Sequence, residues 1–135
     1  MILLTSAGGK TGRAMISTFA AAGEKVRAVM RRDDADAELM SLGAVEVVHA
    51  DLMDAAAMAD AAKGCRAIYY ICPNMTEQEQ TFGENIIAAA KAAEVDRLVF
   101  HSVLHTQVQA LQHHWNRLFV EEAILESGVP YSILQ

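Results

Sequence analysis

The chain has 135 residues, which is the size of one domain and enough to bury a substantial core. Its formal net charge is −6 at pH 7, so it lacks the basic surface of a nucleic-acid-binding protein. No apolar run reaches the ~18 residues of a membrane span, and no charged leader precedes the first strand. We therefore expect a cytoplasmic protein without membrane contact. Cys65 and Cys72 lack metal-ligand or redox spacing, and we expect both to be small buried residues.

The first fifteen residues predict a strand, a tight turn and a helix. Residues 2–4 form an apolar run that is too short for a helix, residues 5–12 are polar and rich in glycine, and residues 13–22 have a helical pattern. Such a turn presents backbone N–H groups to a phosphate at the start of a helix. The alternative is a strand–helix turn that needs flexible residues but binds nothing.

The glycines of this turn match most of a dinucleotide-binding pattern. In a G-x-x-G-x-x-G pattern, Gly9 and Gly12 are the second and third glycines, and Ser6 occupies the first position. The second glycine lets the backbone approach a pyrophosphate, and the third lets the helix pack on the strand. Gly8 is an additional small residue beside them. The turn therefore predicts a pyrophosphate site.

A second short strand over residues 25–30 ends in two arginines and two aspartates. In a dinucleotide-binding fold, a carboxylate about 20 residues beyond the glycines binds the ribose 2′-hydroxyl of NAD, whereas an arginine there accommodates the 2′-phosphate of NADP. Arg31 occupies this place and is followed by Arg32, so the pattern favours NADP over NAD. Two alternatives stay open: a solvated arginine pair, or arginines that Asp33 and Asp34 neutralise.

The rest of the chain alternates predicted helices with predicted strands. Helices are predicted over residues 35–42, 54–63, 78–93 and 113–126, and strands over residues 44–49, 67–72, 97–103 and 130–135. Six strands that alternate with helices predict an α/β fold with a three-layer, doubly wound parallel sheet. The expected architecture is one Rossmann domain over residues 1–135 with strand order 3-2-1-4-5-6 and no second domain.

Taken together, these segments resemble the NmrA-like family of atypical short-chain dehydrogenase/reductases over essentially the whole chain. The segments that carry the resemblance are residues 5–12, 26–31, 51–52, 101–105, 113–117, 120–122 and 127–135. The resemblance implies an oxidoreductase that binds NADP(H), with NAD less favoured, and that holds no metal. It implies a cofactor site made of Thr5, Ser6, Gly8, Gly9, Lys10, Thr11, Gly12, Arg31, Arg32, Asp51, Leu52, Cys72, Pro73 and Asn74.

Within that site, the resemblance implies a place for each part of the cofactor. Gly9 and Gly12 match the pyrophosphate turn, and Arg31 matches the 2′-phosphate position. Asp51 and Leu52 match the pair that borders the adenine. The segment 72–74 matches the strand end under the ribose and nicotinamide.

The catalytic candidates are less clear, because no tyrosine is followed by a lysine four residues later. The usual acid of the wider superfamily is therefore absent. Ser102 matches a serine at the end of the fifth strand, and Arg117 falls where many members have a lysine near the nicotinamide ribose. His114 and His105 are possible proton donors, since imidazole titrates near neutral pH. Each also has a structural interpretation, as a surface histidine or a strand-end serine.

Two functions stay open from the sequence. One is hydride transfer from NADPH to a quinone-like substrate, which needs little acid catalysis because the reduced oxygen is a good anion. The other is a non-catalytic NADP(H) sensor that signals redox state through a protein partner. Both use the same glycine turn, and the fold does not distinguish them.

Family members continue beyond this point into a smaller region that binds the small-molecule substrate, so we expect the chain to be a fragment with little or no turnover. We also expect apolar surface to be exposed on the last strand and the last helix, at Tyr131, Ile133, Leu134, Leu118, Phe119 and Val120. An uncovered apolar strand favours pairing with another chain. The expected assembly is a two-fold homodimer.

Overall fold

Six strands form one parallel sheet in the computed structural model, which describes residues 1–73 and 75–135. The strands are β1 (Ile2–Leu4), β2 (Val26–Met30), β3 (Ala44–His49), β4 (Ala67–Ile71), β5 (Arg97–His101) and β6 (Tyr131–Leu134). Their order is β3-β2-β1-β4-β5-β6, and every neighbouring pair is parallel. The predicted fold class and strand order are therefore confirmed. The order reverses between β1 and β4, which is where this architecture places a ligand.

In the described residues, five helices connect the strands: α1 (Lys10–Ala21), α2 (Asp36–Ser41), α3 (Ala55–Ala62), α4 (Glu79–Ala92) and α5 (Gln112–Glu126). The largest difference from the predicted bounds is at α1, which begins three residues earlier than expected. Gly12 therefore lies within the first turn of α1. At α3, the Asp54 carboxylate caps the helix as predicted, accepting a hydrogen bond of 2.9 Å from the N–H of Ala57.

The helices cover the two faces of the sheet with two separate apolar clusters. Alternate residues of a strand point to opposite faces, so Tyr69 contributes to one cluster and Tyr70 to the other. Residues of α1 and α2, such as Ile16 and Leu39, pack on the Tyr69 face. Residues of α3, α4 and α5 pack on the Tyr70 face. The central strands are buried on both faces, which explains their continuous apolar sequence.

The last helix and strand are partly covered. Phe119, Tyr131 and Leu134 are 38%, 39% and 45% exposed, whereas Ile133 packs against the core. The expectation that Val120 is exposed is wrong. This side chain is buried between α5 and α4, where a Cβ atom on Gly83 would lie 2.8 Å from it. The expected self-association through this surface stays a prediction.

Both cysteines are free and buried. Burial raises the pKa of the Cys65 thiol, and it raises the pKa of Cys72 to about 11. Within residues 1–73 and 75–135, no helix has the length and apolar character needed to cross a bilayer. The same residues contain no group of three or more His, Cys, Asp or Glu side chains placed to hold a metal ion.

The high pKa of Cys72 makes its thiol unreactive in the folded chain. A rise from 9.0 to about 11 lowers the thiolate fraction near pH 8 roughly 100-fold, and the thiolate is the nucleophile. We expect iodoacetamide to label Cys72 at least about 100-fold more slowly in the folded chain than in the urea-unfolded chain. Peptide mass spectrometry measures both rates. Comparable rates would show that Cys72 is accessible and ionised in the fold.

Candidate functional site

The carboxyl ends of β1 to β4 open onto a cleft of about 520 Å³ at the point where the strand order reverses. The residues that line it come from the end of β2, from the loops after these strands and from the starts of α1 and α4. They are Ser6, Gly8, Gly9, Arg13, Val29, Met30, Arg31, Arg32, Asp34, Ala35, Ala50, Asp51, Leu52, Pro73 and Phe82. Eight of these lining residues belong to the predicted cofactor site.

The floor of the cleft is held by two hydroxyl groups that tie the end of β1 to the end of β4. The hydroxyls of Thr5 and Ser6 both donate to the carbonyl oxygen of Ile71, each at 2.8 Å. The Thr5 oxygen also accepts the N–H of Ile71 at 2.8 Å. Thr5 is fully buried, so this predicted site residue contacts the other strand rather than the cleft.

Ser6 adopts the conformation that usually requires glycine at the first position of the pattern. Its φ is +49°, in the left-handed region that is costly for a residue with a Cβ atom. The hydrogen bond from its hydroxyl to Ile71 offsets part of this cost. The turn therefore has the shape of a glycine turn although serine occupies its first position.

The start of α1 meets the cleft at Gly9, whose own N–H donates to the carbonyl oxygen of Ser6 at 3.0 Å. Gly9 is the N-cap residue with an extended backbone (φ −74°, ψ 166°), and no side chain caps the helix there. The N–H groups at the first positions of a helix have no partner within the helix and attract anions. Lys10 and Thr11 belong to this first turn and are exposed, but neither they nor Gly12 line the cleft.

Gly12 lets α1 approach the turn closely. A Cβ atom there would lie 2.5 Å from the carbonyl oxygen of Ser6 and 2.6 Å from that of Ala7. Both contacts are with backbone atoms, which have little room to move. This is the close packing that the third glycine of the pattern permits.

Three arginines line the end of the cleft beside β2. Arg32 pairs with Asp34 at 3.2 Å, and Arg13 pairs with Glu38 of α2 at 3.0 Å. Arg31 is exposed and has no carboxylate within 4 Å among the residues described. Asp34 therefore neutralises Arg32 rather than Arg31, which leaves one guanidinium free to bind a phosphate.

The remaining predicted cofactor residues take different places. Asp51 and Leu52 line the cleft after β3, and the Leu52 carbonyl accepts a hydrogen bond of 2.8 Å from Asn85 of α4. Pro73 lines the cleft after β4, whereas Cys72 is buried behind it. Asn74 lies outside the described residues.

None of the four catalytic candidates is among the described residues that line the cleft, and His105 is exposed in the loop after β5. Ser102 is buried, and its hydroxyl donates to Glu121 of α5. Arg117 is 3% exposed and contacts main-chain carbonyls and Glu79. His114 is half-buried, with its Nδ1 atom 2.9 Å from the carbonyl oxygen of Leu104.

Several lining residues are not among those predicted, and three of them adjoin predicted residues in the sequence, including Ala50, which precedes Asp51. Arg13 follows Gly12 directly, and Met30 precedes Arg31, so both adjoin predicted site residues. A Cβ atom on Gly8 would lie 2.6 Å from the Met30 side chain, which shows how closely β2 approaches the turn. Phe82 reaches the cleft from α4, and no sequence pattern identifies it.

Comparison with known proteins identifies the family and the fold. The model of the NmrA-like family matches residues 1–135. Quinone oxidoreductase 2 of Escherichia coli K12 is 28% identical over 137 residues, covering 100% of this chain and 48% of the relative. A (4-alkanoyl-5-oxo-2,5-dihydrofuran-3-yl)methyl phosphate reductase of Streptomyces griseus is 33% identical over 138 residues, covering 100% of this chain and 46% of the relative.

Solved structures agree with this assignment. The crystal structure of the NADPH-dependent quinone oxidoreductase QOR2 of Escherichia coli, complexed with NADPH, superposes with a TM-score of 0.87 at 27% identity, covering 100% of this chain and 48% of that one. The Citrobacter sp. triphenylmethane reductase complexed with NADP(H) has a TM-score of 0.85 at 21% identity, covering 99% and 48%, and supports the fold alone. The chain spans about half the length of the relatives it matches.

Proposed function

Because the chain belongs to the NmrA-like family, we propose that it binds NADP(H) and forms the cofactor-binding part of a reductase acting on a quinone-like or similarly electron-poor substrate. One observation carries this proposal. The glycine turn at the start of α1 and Arg31, which has no carboxylate within 4 Å in the described part of the chain, line the same cleft. A pyrophosphate and a 2′-phosphate therefore both find a matching group in one cleft.

The described residues fit this cofactor along the whole cleft. The free N–H groups at the start of α1 suit the pyrophosphate, and Gly9 presents no side chain to obstruct it. The planar guanidinium of Arg31 donates two hydrogen bonds at once, which suits a phosphate. Leu52 offers apolar surface to the adenine after β3. Pro73, at the end of β4, borders the nicotinamide side, because the cofactor crosses the sheet where the strand order reverses.

The ionisable groups in the cleft support a substrate that needs little acid catalysis. With NADPH in this cleft, a hydride would be available, and a quinone would take it up as an oxygen anion that water can protonate. Among the described lining residues, the only carboxylates are Asp34 and Asp51, which follow β2 and β3 rather than β4. No cysteine, histidine or tyrosine lines the described part of the cleft. A quinone suits such a site better than an unactivated ketone does.

The cofactor cleft also suits a second candidate function, a non-catalytic NADP(H) sensor. Ser102 and Arg117 are both engaged in buried contacts within the chain, so neither is free to meet a substrate. A sensor needs the cofactor cleft but no proton donor. The expected two-fold dimer provides one surface through which such a signal can pass, and light scattering at micromolar concentration tests for it.

Turnover separates the two candidates. Because the chain alone is expected to show little or no turnover, a protein extended past Gln135 is mixed with NADPH and a panel of benzoquinones and naphthoquinones. The loss of NADPH absorbance is followed beside a direct binding titration. Binding with quinone-dependent NADPH oxidation supports the reductase. Binding without oxidation supports the sensor, and no binding refutes both.

A further inference from the structure

A buried ion pair joins α4 to α5 behind the cleft. Glu79 opens α4 and is fully buried, and its Oε1 atom lies 3.6 Å from Nε of Arg117, which is 3% exposed. The Nδ1 atom of His113 lies 2.8 Å from the same oxygen, although the angle at this contact is outside hydrogen-bond geometry. Burial raises the pKa of Glu79, while the charges of Arg117 and His113 oppose the rise. A buried charge is costly without such partners.

Arg117 uses its other nitrogens to hold the ends of two strands. One Nη atom donates to the carbonyl oxygen of His101, the last residue of β5, at 2.7 Å. The other donates to the carbonyl oxygen of Cys72, just beyond β4, at 3.4 Å. The guanidinium carbon also lies 5.8 Å from the centre of the Phe100 ring. The side chain therefore connects the carboxyl ends of β4 and β5.

The Cys72 contact leads directly to the cofactor cleft. The carbonyl that Arg117 binds belongs to the peptide bond that joins Cys72 to Pro73, and Pro73 lines the cleft. The Cys72 thiol also donates to Oε1 of Glu79, at 3.8 Å. Because proline has a fixed φ, the orientation of this peptide group sets the direction of the Pro73 ring. Both members of the ion pair thus act on the same short segment.

We propose that Glu79 is a positioning residue for the nicotinamide half of the cofactor site. It holds Arg117 in place, and Arg117 holds the Cys72–Pro73 peptide that forms the wall of the cleft beyond β4. The inference rests on the proposed binding of NADP(H). A positioning role differs from a purely structural one. In a purely structural role the ion pair only fastens α4 to α5, and the shape of the cleft does not depend on it.

The test removes the whole pair and compares two ligands. Removing one partner leaves an unpaired buried charge and is strongly destabilising, whereas replacing both by apolar residues of similar size often preserves stability. In the double variant Glu79→Met/Arg117→Met we expect a melting temperature close to that of the unmodified chain. Affinity for NADPH should fall about tenfold or more, because the Cys72 carbonyl loses its donor. Affinity for adenosine 2′,5′-bisphosphate, which lacks the nicotinamide half, should not change.

Three results overturn this inference. Equal affinities of the folded double variant and the unmodified chain for both ligands would show that the pair is purely structural. An equal loss for both ligands would place the effect at the whole cleft rather than at its nicotinamide half. Failure of the unmodified chain to bind either ligand would refute the proposed function and this inference with it, which is distinguishable from the first two results.

A conservative variant keeps the test decisive where the double variant does not fold. Arg117→Lys retains the charge beside Glu79 but cannot reach both carbonyl groups with one planar fork. We expect it to weaken NADPH binding less than the double methionine change does, while leaving adenosine 2′,5′-bisphosphate binding unchanged. If the ratio of the NADPH affinity to the adenosine 2′,5′-bisphosphate affinity is the same in Arg117→Lys as in the unmodified chain, the positioning role is contradicted.

Discussion

Replacing Gly9 with valine is expected to abolish NADP(H) binding while leaving the fold intact. Gly9 has a φ of −74°, which any residue adopts, and a Cβ atom there would meet only the Ser6 carbonyl oxygen, at 3.3 Å. The branched side chain would then project into the cleft that Gly9 lines, where the pyrophosphate is proposed to lie. Calorimetric titration with NADPH measures the loss, and circular dichroism measures the melting temperature.

Gly12→Val is the matched control, since it introduces the same side chain three residues further along the same turn. Here the Cβ atom would lie within 2.7 Å of three backbone atoms of Ser6 and Ala7. Overpacking of this kind costs about 1–3 kcal/mol or more, so we expect the melting temperature to fall by roughly 5–10 °C. Persistent NADPH binding by Gly9→Val would show that the phosphates do not lie on this turn.

Replacing Arg31 with alanine is expected to weaken NADPH binding by about 1.5–3 kcal/mol, or roughly 10- to 150-fold, with little effect on NADH. The reason is that Arg31 is the cleft arginine without a carboxylate within 4 Å among the described residues, so its charge is available to the 2′-phosphate. The affinity difference between the two cofactors should also shrink as salt concentration rises, because the contact is ionic.

Arg32→Ala is the control for this change. It removes a charge next to Arg31, but Arg32 is already paired with Asp34, and its side chain is 73% exposed. We expect a change in NADPH affinity several times smaller than that of Arg31→Ala. If Arg32→Ala had the larger effect, the 2′-phosphate would lie on Arg32 rather than on Arg31.

The fold and the glycine turn are predictable because their signals are local. Strand–helix alternation gives the sheet order, and the glycines of residues 8–12 mark the turn whatever the rest of the chain does. The sequence pattern predicts a start of α1 that is three residues too late, because Lys10, Thr11 and Gly12 do not form an apolar helical pattern. The turn itself places Lys10 in the first helical position.

The interior of the site is less predictable because it depends on pairs that are distant in sequence. Ser102 and Arg117 have residue types suited to catalysis, but their engagement by Glu121 and Glu79 appears only once α4 and α5 pack beside the sheet. Phe82 reaches the cleft because of how α4 is oriented about its own axis. The apolar periodicity of the α4 sequence does not show which of its residues face the glycine turn. Side-chain direction, rather than residue type, decides these positions.

Selection of NADP(H) by this cleft is tested most directly by calorimetric titration of the unmodified chain with NADPH and with NADH. The free guanidinium of Arg31 and the absence of any carboxylate within 4 Å of it in the described chain predict that NADPH binds at least about tenfold more tightly than NADH. Equal affinities, or tighter binding of NADH, would contradict the account.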